Sequence, residues 1–215
     1  KANALDLGID HTFTDAEQMY DSGQIDAVVI GTPMQFHAPQ AIAALARDLH
    51  VLSEVTSGVS VEECRDLVSA VRGSRGRYML AENYTYTKNN VLVRELARLG
   101  LFGEIYYGEG AYIHELKALN EKTTWRRHWQ TGVNGCTYGT HSLGPVLQWF
   151  CEPRRRPDRV VAVSAVGTGH HFSVPRGDAY EMEDSVTMMC RMASGGMIQI
   201  RVDMLSNRPH LMTHY

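Results

Sequence analysis

The chain has 215 residues, 44% hydrophobic and 21% charged, with a formal net charge of -3. That is room for one large domain or two modest ones, with no electrostatic case for nucleic acid or an anionic membrane surface and no apolar stretch long enough to span a bilayer. Cys64, Cys136, Cys151 and Cys190 lie far apart without CxxC or Cys/His metal spacing, which argues against a disulfide framework or a structural metal.

The first ten residues read as the tail of a helix stopped by Gly8, with no Met before it, and the chain stops as abruptly at Tyr215. A fragment cut at both ends is therefore expected. Thr14-Asp-Ala-Glu17 matches a capping box and predicts a helix to about Asp21, closed by Gly23. The apolar run Ala27 to Ile30 predicts a strand, and Gly31-Thr32-Pro33 a turn. Ile42, Leu45, Ala46 and Leu49 then share a helical face before a second apolar run, Val51-Leu52, ending at Glu54. This is a βαβ unit, with parallel strands expected to be buried on both faces. Ligands bind beyond the carboxyl ends of such strands, here Gly31 to Pro33 and Glu54 to Thr56. A second capping box, Ser60 to Glu63, opens a helix ended by Gly73, and Tyr78 to Ala81 is the next strand, running into Glu82-Asn83.

Beyond this point the alternation of strand and helix stops. Asn89 to Leu99 reads as a helix, Glu104 to Glu115 as a long strand, Ala118 to Thr131 as polar and irregular, and Leu143 to Phe150 as a short apolar helix. The run Arg154-Arg155-Arg156, between two prolines, reads as a solvated loop. Strands follow at Val160 to Val166, Ser185 to Arg191 and Met197 to Val202, with a hairpin at 193–196. The expected fold is α/β: a partial Rossmann doubly wound parallel sheet in residues 1–86, then an α+β domain with a mostly antiparallel open sheet in residues 87–215.

Ala27-Val-Val-Ile-Gly-Thr-Pro33, His37, His50-Val-Leu-Ser-Glu54 and Glu82-Asn83 together resemble the Gfo/Idh/MocA oxidoreductases. The resemblance implies an NAD-binding Rossmann domain, with NADP as the other option, and an open-sheet substrate domain. The family's first strand, glycine-rich turn and ribose-binding acid have no counterpart here. Val55 stands where most of the family's dehydrogenases carry a proton-transferring lysine, and Thr137 where most carry an aspartate. Glu54-Val55, Trp125-Arg126 and Tyr138-Gly-Thr-His141-Ser-Leu-Gly-Pro145 are similar to one branch, the NAD-dependent α-N-acetylgalactosaminidase-like glycosidases, with Gly139 in place of the branch's usual proline.

By resemblance, cofactor contacts fall on Thr32, Met34, Gln35, Phe36, His37, Glu54, Val55 and Asn83, and substrate contacts on Tyr112, Arg126, Thr140 and His210. Catalysis falls on His141, Tyr86 and Tyr138, with Tyr86 preferred to Tyr84 as the tyrosine following Glu82-Asn83. The implied chemistry is transient oxidation at a sugar C3, removal of the acidified C2 proton, departure of the C1 group, addition of water and re-reduction. It has no net redox and needs no carboxylate pair about the glycosidic bond. An imidazole suits the proton transfers because it titrates near neutrality. The alternatives are an NAD(P)-dependent sugar or cyclitol dehydrogenase using His141, and a non-enzymatic sugar-binding or interaction protein of the same fold. The expected partners are a sugar or glycoside and, through the open sheet, further copies of the chain. The expected compartment is the cytoplasm, or the periplasm or exterior if a preceding segment carries a signal.

Overall fold

A computed structural model describes residues 6–151 and 158–215, so the 1–5 tail and the Arg154 to Arg156 run lie outside the described residues. The chain divides into two compact units, residues 1–81 and 82–215. The first contains α1 (Ala16–Tyr20), β1 (Ala27–Ile30), a 3-10 turn (Met34–Phe36), α2 (His37–Leu45), β2 (His50–Ser53), α3 (Val61–Gly73) and β3 (Tyr78–Leu80). The strands form a parallel sheet in the order β1-β2-β3. Ser60 caps α3 by accepting the Glu63 N–H at 3.1 Å, as its capping box requires. At α1 the cap is Asp15, which accepts the Gln18 N–H at 3.0 Å, so the helix starts one residue later than the Thr14 pattern suggests.

Side chains alternate across the sheet because successive residues of a strand point to opposite faces. Val28, Ile30 and Val51 turn inward to Ala41, Ala44, Leu45 and Leu67. The other face, expected to be buried, is not: Val29 is 76% exposed, and Leu52 and Met79 are exposed with it. Helix α2 packs on β1 and β2, and α3 packs on α2. Among the described residues of this unit no element lies over the opposite face.

The second unit begins with a 3-10 turn (Asn83–Tyr86) and α4 (Lys88–Arg98), followed by β4 (Tyr107–Ile113). Two short helices, α5 (Lys117–Lys122) and α6 (Thr124–Trp129), occupy the stretch expected to be irregular. Each is six residues long, too short for helical periodicity to register in the sequence. Helix α7 (Thr140–Cys151) starts three residues before the expected Leu143, which brings His141 onto the helix. Strands β5 (Val160–Gly167), β6 (Ser185–Met192), β7 (Met197–Asp203) and β8 (Leu211–His214) complete the unit. The sheet order is β5-β6-β7-β4-β8, antiparallel except for the parallel β4-β7 pair. Strand β8 is an addition to the expected set.

Helix α7 lies across β4 and β7 and also contacts α4. Its Val146 and Phe150 enter a core with Ile198, Ile200 and Val202, all buried. Each such side chain contributes about 1.5–3 kcal/mol of burial free energy. The register sets Tyr107 opposite Met197 and Glu109 opposite Gln199. Tyr107 and Met197 are exposed, on the face away from α7. Among the described residues no helix is long and apolar enough to cross a membrane, and no three or more His, Cys, Asp or Glu side chains converge to hold a metal ion.

Candidate active site

In the first unit the expected cofactor residues collect at the carboxyl ends of β1 and β2. Strand β1 ends at Ile30, so Gly31, Thr32 and the 3-10 turn carry the chain over the sheet edge into α2. A Cβ added at Gly31 would meet only the Glu54 Cγ, at 4.0 Å, so the strand tip is open above its backbone. Thr32 and Glu54 are exposed, as is Phe36, while the Met34 and Val55 side chains are buried. Gln35 carries a buried Oε1 with no hydrogen-bond partner. An unsatisfied buried acceptor beside an open strand end fits a ligand with donors, such as the carboxamide of a nicotinamide. His37 is 2% exposed and its ring lies between two carbonyls, Thr32 O at 2.7 Å from Nε2 and Thr56 O at 3.0 Å from Nδ1. It ties the β1 turn to the segment after β2: the one N–H of the neutral ring donates to one of these carbonyls, and the second carbonyl covers the other nitrogen.

The second unit gathers a different set. His141 is 7% exposed and Glu82 is equally buried. The His141 Nδ1 lies 2.8 Å from Glu82 Oε1 and 3.1 Å from Oε2. A carboxylate can only accept, so Nδ1 carries the proton and Nε2 presents its lone pair. Three tyrosines surround the ring: Tyr84 at 4.4 Å between centroids, and Tyr112 and Tyr138 at 5.3 Å each. They come from the 3-10 turn, from β4 and from the loop before α7. The Tyr112 hydroxyl lies 3.0 Å from His114 Nδ1, and the His210 ring stands 4.4 Å from that of His114. Thr140, beside His141, has a buried Oγ1 without a partner. Arg126 stacks 4.5 Å from the Trp125 ring centre and donates to Gln130 Oε1 at 2.8 Å.

The backbone of α7 explains how His141 is held. Pro145 has no N–H to give the carbonyl four residues earlier, which is that of His141. The Tyr215 hydroxyl donates to that oxygen instead, at 3.1 Å. Gly144 lies one helical turn after His141, and a Cβ there would be 2.7 Å from Glu82 Cγ. The missing side chain is the space through which Glu82 reaches the histidine. Gly139, where the branch has proline, donates its N–H to Cys136 O at 3.0 Å, a bond proline could not make.

The Tyr84 and Tyr112 phenols are raised above the ordinary 10.0. For Tyr84 the cause is burial and then the Glu82 charge. For Tyr112 it is burial, then Tyr84 and Tyr138, with Arg126 pulling the other way. Burial and the neighbouring His210 lower the His114 imidazole. The pull of Arg126 is therefore too weak to bring Tyr112 below its ordinary range.

Of the expected residues of this unit, His141, Tyr138, Tyr112 and Thr140 come together, and His210 joins through His114. Tyr86 is 54% exposed, and Tyr84 holds the place by the histidine ring. On a 3-10 turn residues two apart point in different directions, and nothing in the local sequence distinguishes the two tyrosines. Asn83 is exposed beside them. Sequence reasoning also passed over Glu82 and Gly144 as site residues. The available signal was that Glu82 lies just past the end of a strand and that Gly144 follows His141 by one turn.

Comparison with known proteins fits both halves. Residues 1–82 match the oxidoreductase family with an NAD-binding Rossmann fold, so the first unit has the NAD-binding fold of that class. Residues 86–214 match the C-terminal domain of glycosyl hydrolase 109. The chain belongs to the glycosyl hydrolase 109 family. It is 36% identical over 225 residues to a glycosyl hydrolase family 109 protein of Shewanella woodyi, covering 98% of this chain and 47% of that one. It is 33% identical over 208 residues to an alpha-N-acetylgalactosaminidase of Shewanella oneidensis, covering 90% and 45%. The chain thus spans about half the length of the curated relatives it matches. Among solved structures it is similar to levoglucosan dehydrogenase in complex with NADH and levoglucosan (TM-score 0.78, 22% identity, 98% of this chain and 56% of that one). It is also similar to an inositol dehydrogenase homolog complexed with NAD+ from Azotobacter vinelandii (TM-score 0.76, 20% identity, 97% and 55%). At these identities the likeness establishes the fold.

Proposed function

We propose that this chain supplies cofactor-contacting strand ends and sugar-processing residues to an NAD-dependent glycosidase acting by transient oxidation at C3 and elimination across C1 and C2. The observation that carries the reading is His141, buried among three tyrosines, with Nδ1 held by a carboxylate and Nε2 free to exchange a proton. NAD, when bound, accepts and later returns the C3 hydride. His141 Nε2 takes the proton of the C3 hydroxyl as that hydride leaves, and gives it back at the end. Once C3 is a ketone the C2 hydrogen is acidic, and Tyr84 or Tyr138 takes it. Burial and then the Glu82 charge raise the Tyr84 phenol, so Tyr84 takes that proton only in its minor phenolate form. Tyr112, Arg126, Thr140 and His210 contact the sugar. Thr32, Gln35, Phe36, Glu54 and Asn83 serve the cofactor, with Met34, His37 and Val55 shaping the strand ends beneath it. The exposed sheet face with Tyr107 and Met197 serves self-association, and light scattering measures it.

The test is hydrolysis of 4-nitrophenyl N-acetyl-α-galactosaminide by the intact protein in D2O, with NAD or NADP supplied. Nitrophenol release with deuterium at C2 and no net reduced cofactor supports the reading. Stoichiometric reduced cofactor from free sugar, without bond cleavage, overturns it in favour of a dehydrogenase. Sugar binding without turnover under any of these conditions overturns it in favour of a binding protein.

A further inference from the structure

We infer that Glu82 is the positioning residue of this site, a single buried carboxylate that fixes the tautomer of His141 and the seat of Tyr84 together. The inference rests on the proposed reading for its catalytic part and on geometry alone for its structural part. Glu82 lies at the N-terminal cap of the 3-10 turn and accepts the Tyr84 N–H at Oε1, at 3.1 Å. The same oxygen accepts from His141 Nδ1 at 2.8 Å, and Oε2 adds a second contact at 3.1 Å. The turn is tied down again by Asn90 Nδ2, which donates to Tyr84 O at 2.7 Å. The two candidate proton carriers, on a turn and on a helix far apart in the chain, thus share one anchor.

The arrangement has a chemical consequence. With Nδ1–H committed to Glu82, Nε2 is the free base. When Nε2 takes a hydroxyl proton the imidazolium forms against a carboxylate already in contact, so no charge is left unpaired in a buried pocket. The proton moves from the sugar oxygen to Nε2 and back; Glu82 exchanges none. The other groups facing the ring are Tyr84, Tyr112 and Tyr138, all phenols, and the Tyr215 hydroxyl is occupied with the backbone carbonyl. Among the described residues Glu82 is therefore the one charged group in contact with His141. Gly144 is part of the device, since any side chain there would enter the space that the Glu82 Cγ fills.

The experiment compares Glu82→Gln, Glu82→Leu and Gly144→Ala in the intact protein. The readouts are steady-state kinetics, thermal melting and nitrogen NMR of the histidine rings. In the parent protein the His141 resonances should be those of an Nδ1-protonated ring. Glu82→Leu should shift the ring toward the Nε2-protonated form. Glu82→Gln should lower kcat roughly 10²-fold, as for other partners that orient a functional histidine, with KM for sugar and cofactor within about twofold. Gly144→Ala should reproduce a kcat loss although it removes no polar group. An Nε2-protonated parent ring overturns the inference whatever the reaction turns out to be. A kcat loss in Glu82→Gln that is matched by a fall in melting temperature and by an equal rise in KM also overturns it, because general disorder explains that pattern. Failure of the glycosidase reading is seen separately: the tautomer result stands, and the Glu82→Gln loss then appears in reduced-cofactor release from free sugar.

Discussion

Two histidines sit at the first turns of two helices, His37 at the start of α2 in the first unit and His141 in α7 of the second, and both are buried. Both ring nitrogens of His37 are covered by backbone carbonyls, one of which accepts its N–H, while His141 gives one nitrogen to a carboxylate and keeps the other. Carbonyl partners make a histidine a strut between two turns. A single carboxylate partner makes it an oriented base, because it settles which nitrogen holds the proton. Burial and position on a helix are the same for both, so what separates the roles is the chemistry of the partner and the number of nitrogens engaged.

Replacing each histidine would break or sharpen that contrast. His141→Ala should lower turnover by roughly 10²–10⁴-fold, the usual contribution of a general base, with sugar binding retained by calorimetry. Turnover near the parent level would remove His141 from the chemistry. His37→Ala should act on stability instead. It leaves whichever of the Thr32 and Thr56 carbonyls accepts the ring N–H without its donor, at a cost of about 1–3 kcal/mol. Chemical denaturation should show that loss, with KM for the cofactor raised more than kcat is lowered. A kcat effect as large as that of His141→Ala would erase the distinction.

The two units should also separate in alkali. Tyr84, Tyr112 and Tyr215 in the second unit are all raised by burial, whereas Tyr20 is the raised phenol of the first. A phenol raised on folding favours the folded state fully below pH 10.0, and that contribution is lost as pH rises through the folded value. The second unit should therefore melt earlier above pH 10.0, with its tyrosine absorbance changing on unfolding. Titration of those phenols without any loss of melting temperature would contradict their burial. The smallest effect concerns Tyr215→Phe, which should cost about 0.5–1.5 kcal/mol for one hydrogen bond. With Pro145→Ala in place, residue 145 regains an N–H for the His141 carbonyl, and the cost of Tyr215→Phe should shrink. Strictly additive effects would show that the hydroxyl and the proline are unconnected.

Much of the fold is legible in the residues. Ser60 with Glu63 marks the start of α3, and the apolar runs of β1 and β2 with the helical spacing between them specify a parallel unit. What the sequence hid was mostly short or long-range. Helices α5 and α6 are six-residue elements, under two turns each, too short for periodicity to mark them. Strand β8 carries four residues between His210 and Tyr215, with no alternation to announce it. At the site, the Tyr-Gly-Thr-His segment pointed to His141, but no local pattern specifies a carboxylate 59 residues away or the choice between Tyr84 and Tyr86. Those depend on how a turn meets a helix in three dimensions.

The hydrogen bond from Tyr215 to the His141 carbonyl spans 74 positions of the chain. During synthesis His141 and its tyrosines leave the ribosome well before that hydroxyl exists, so the histidine turn stays incompletely tethered until β8 docks beside β4. Reactivity of His141 should accordingly mature only once β8 has formed, and clipping within 206–215 should unsettle the proton-transfer centre while leaving the three-stranded sheet of the first unit intact.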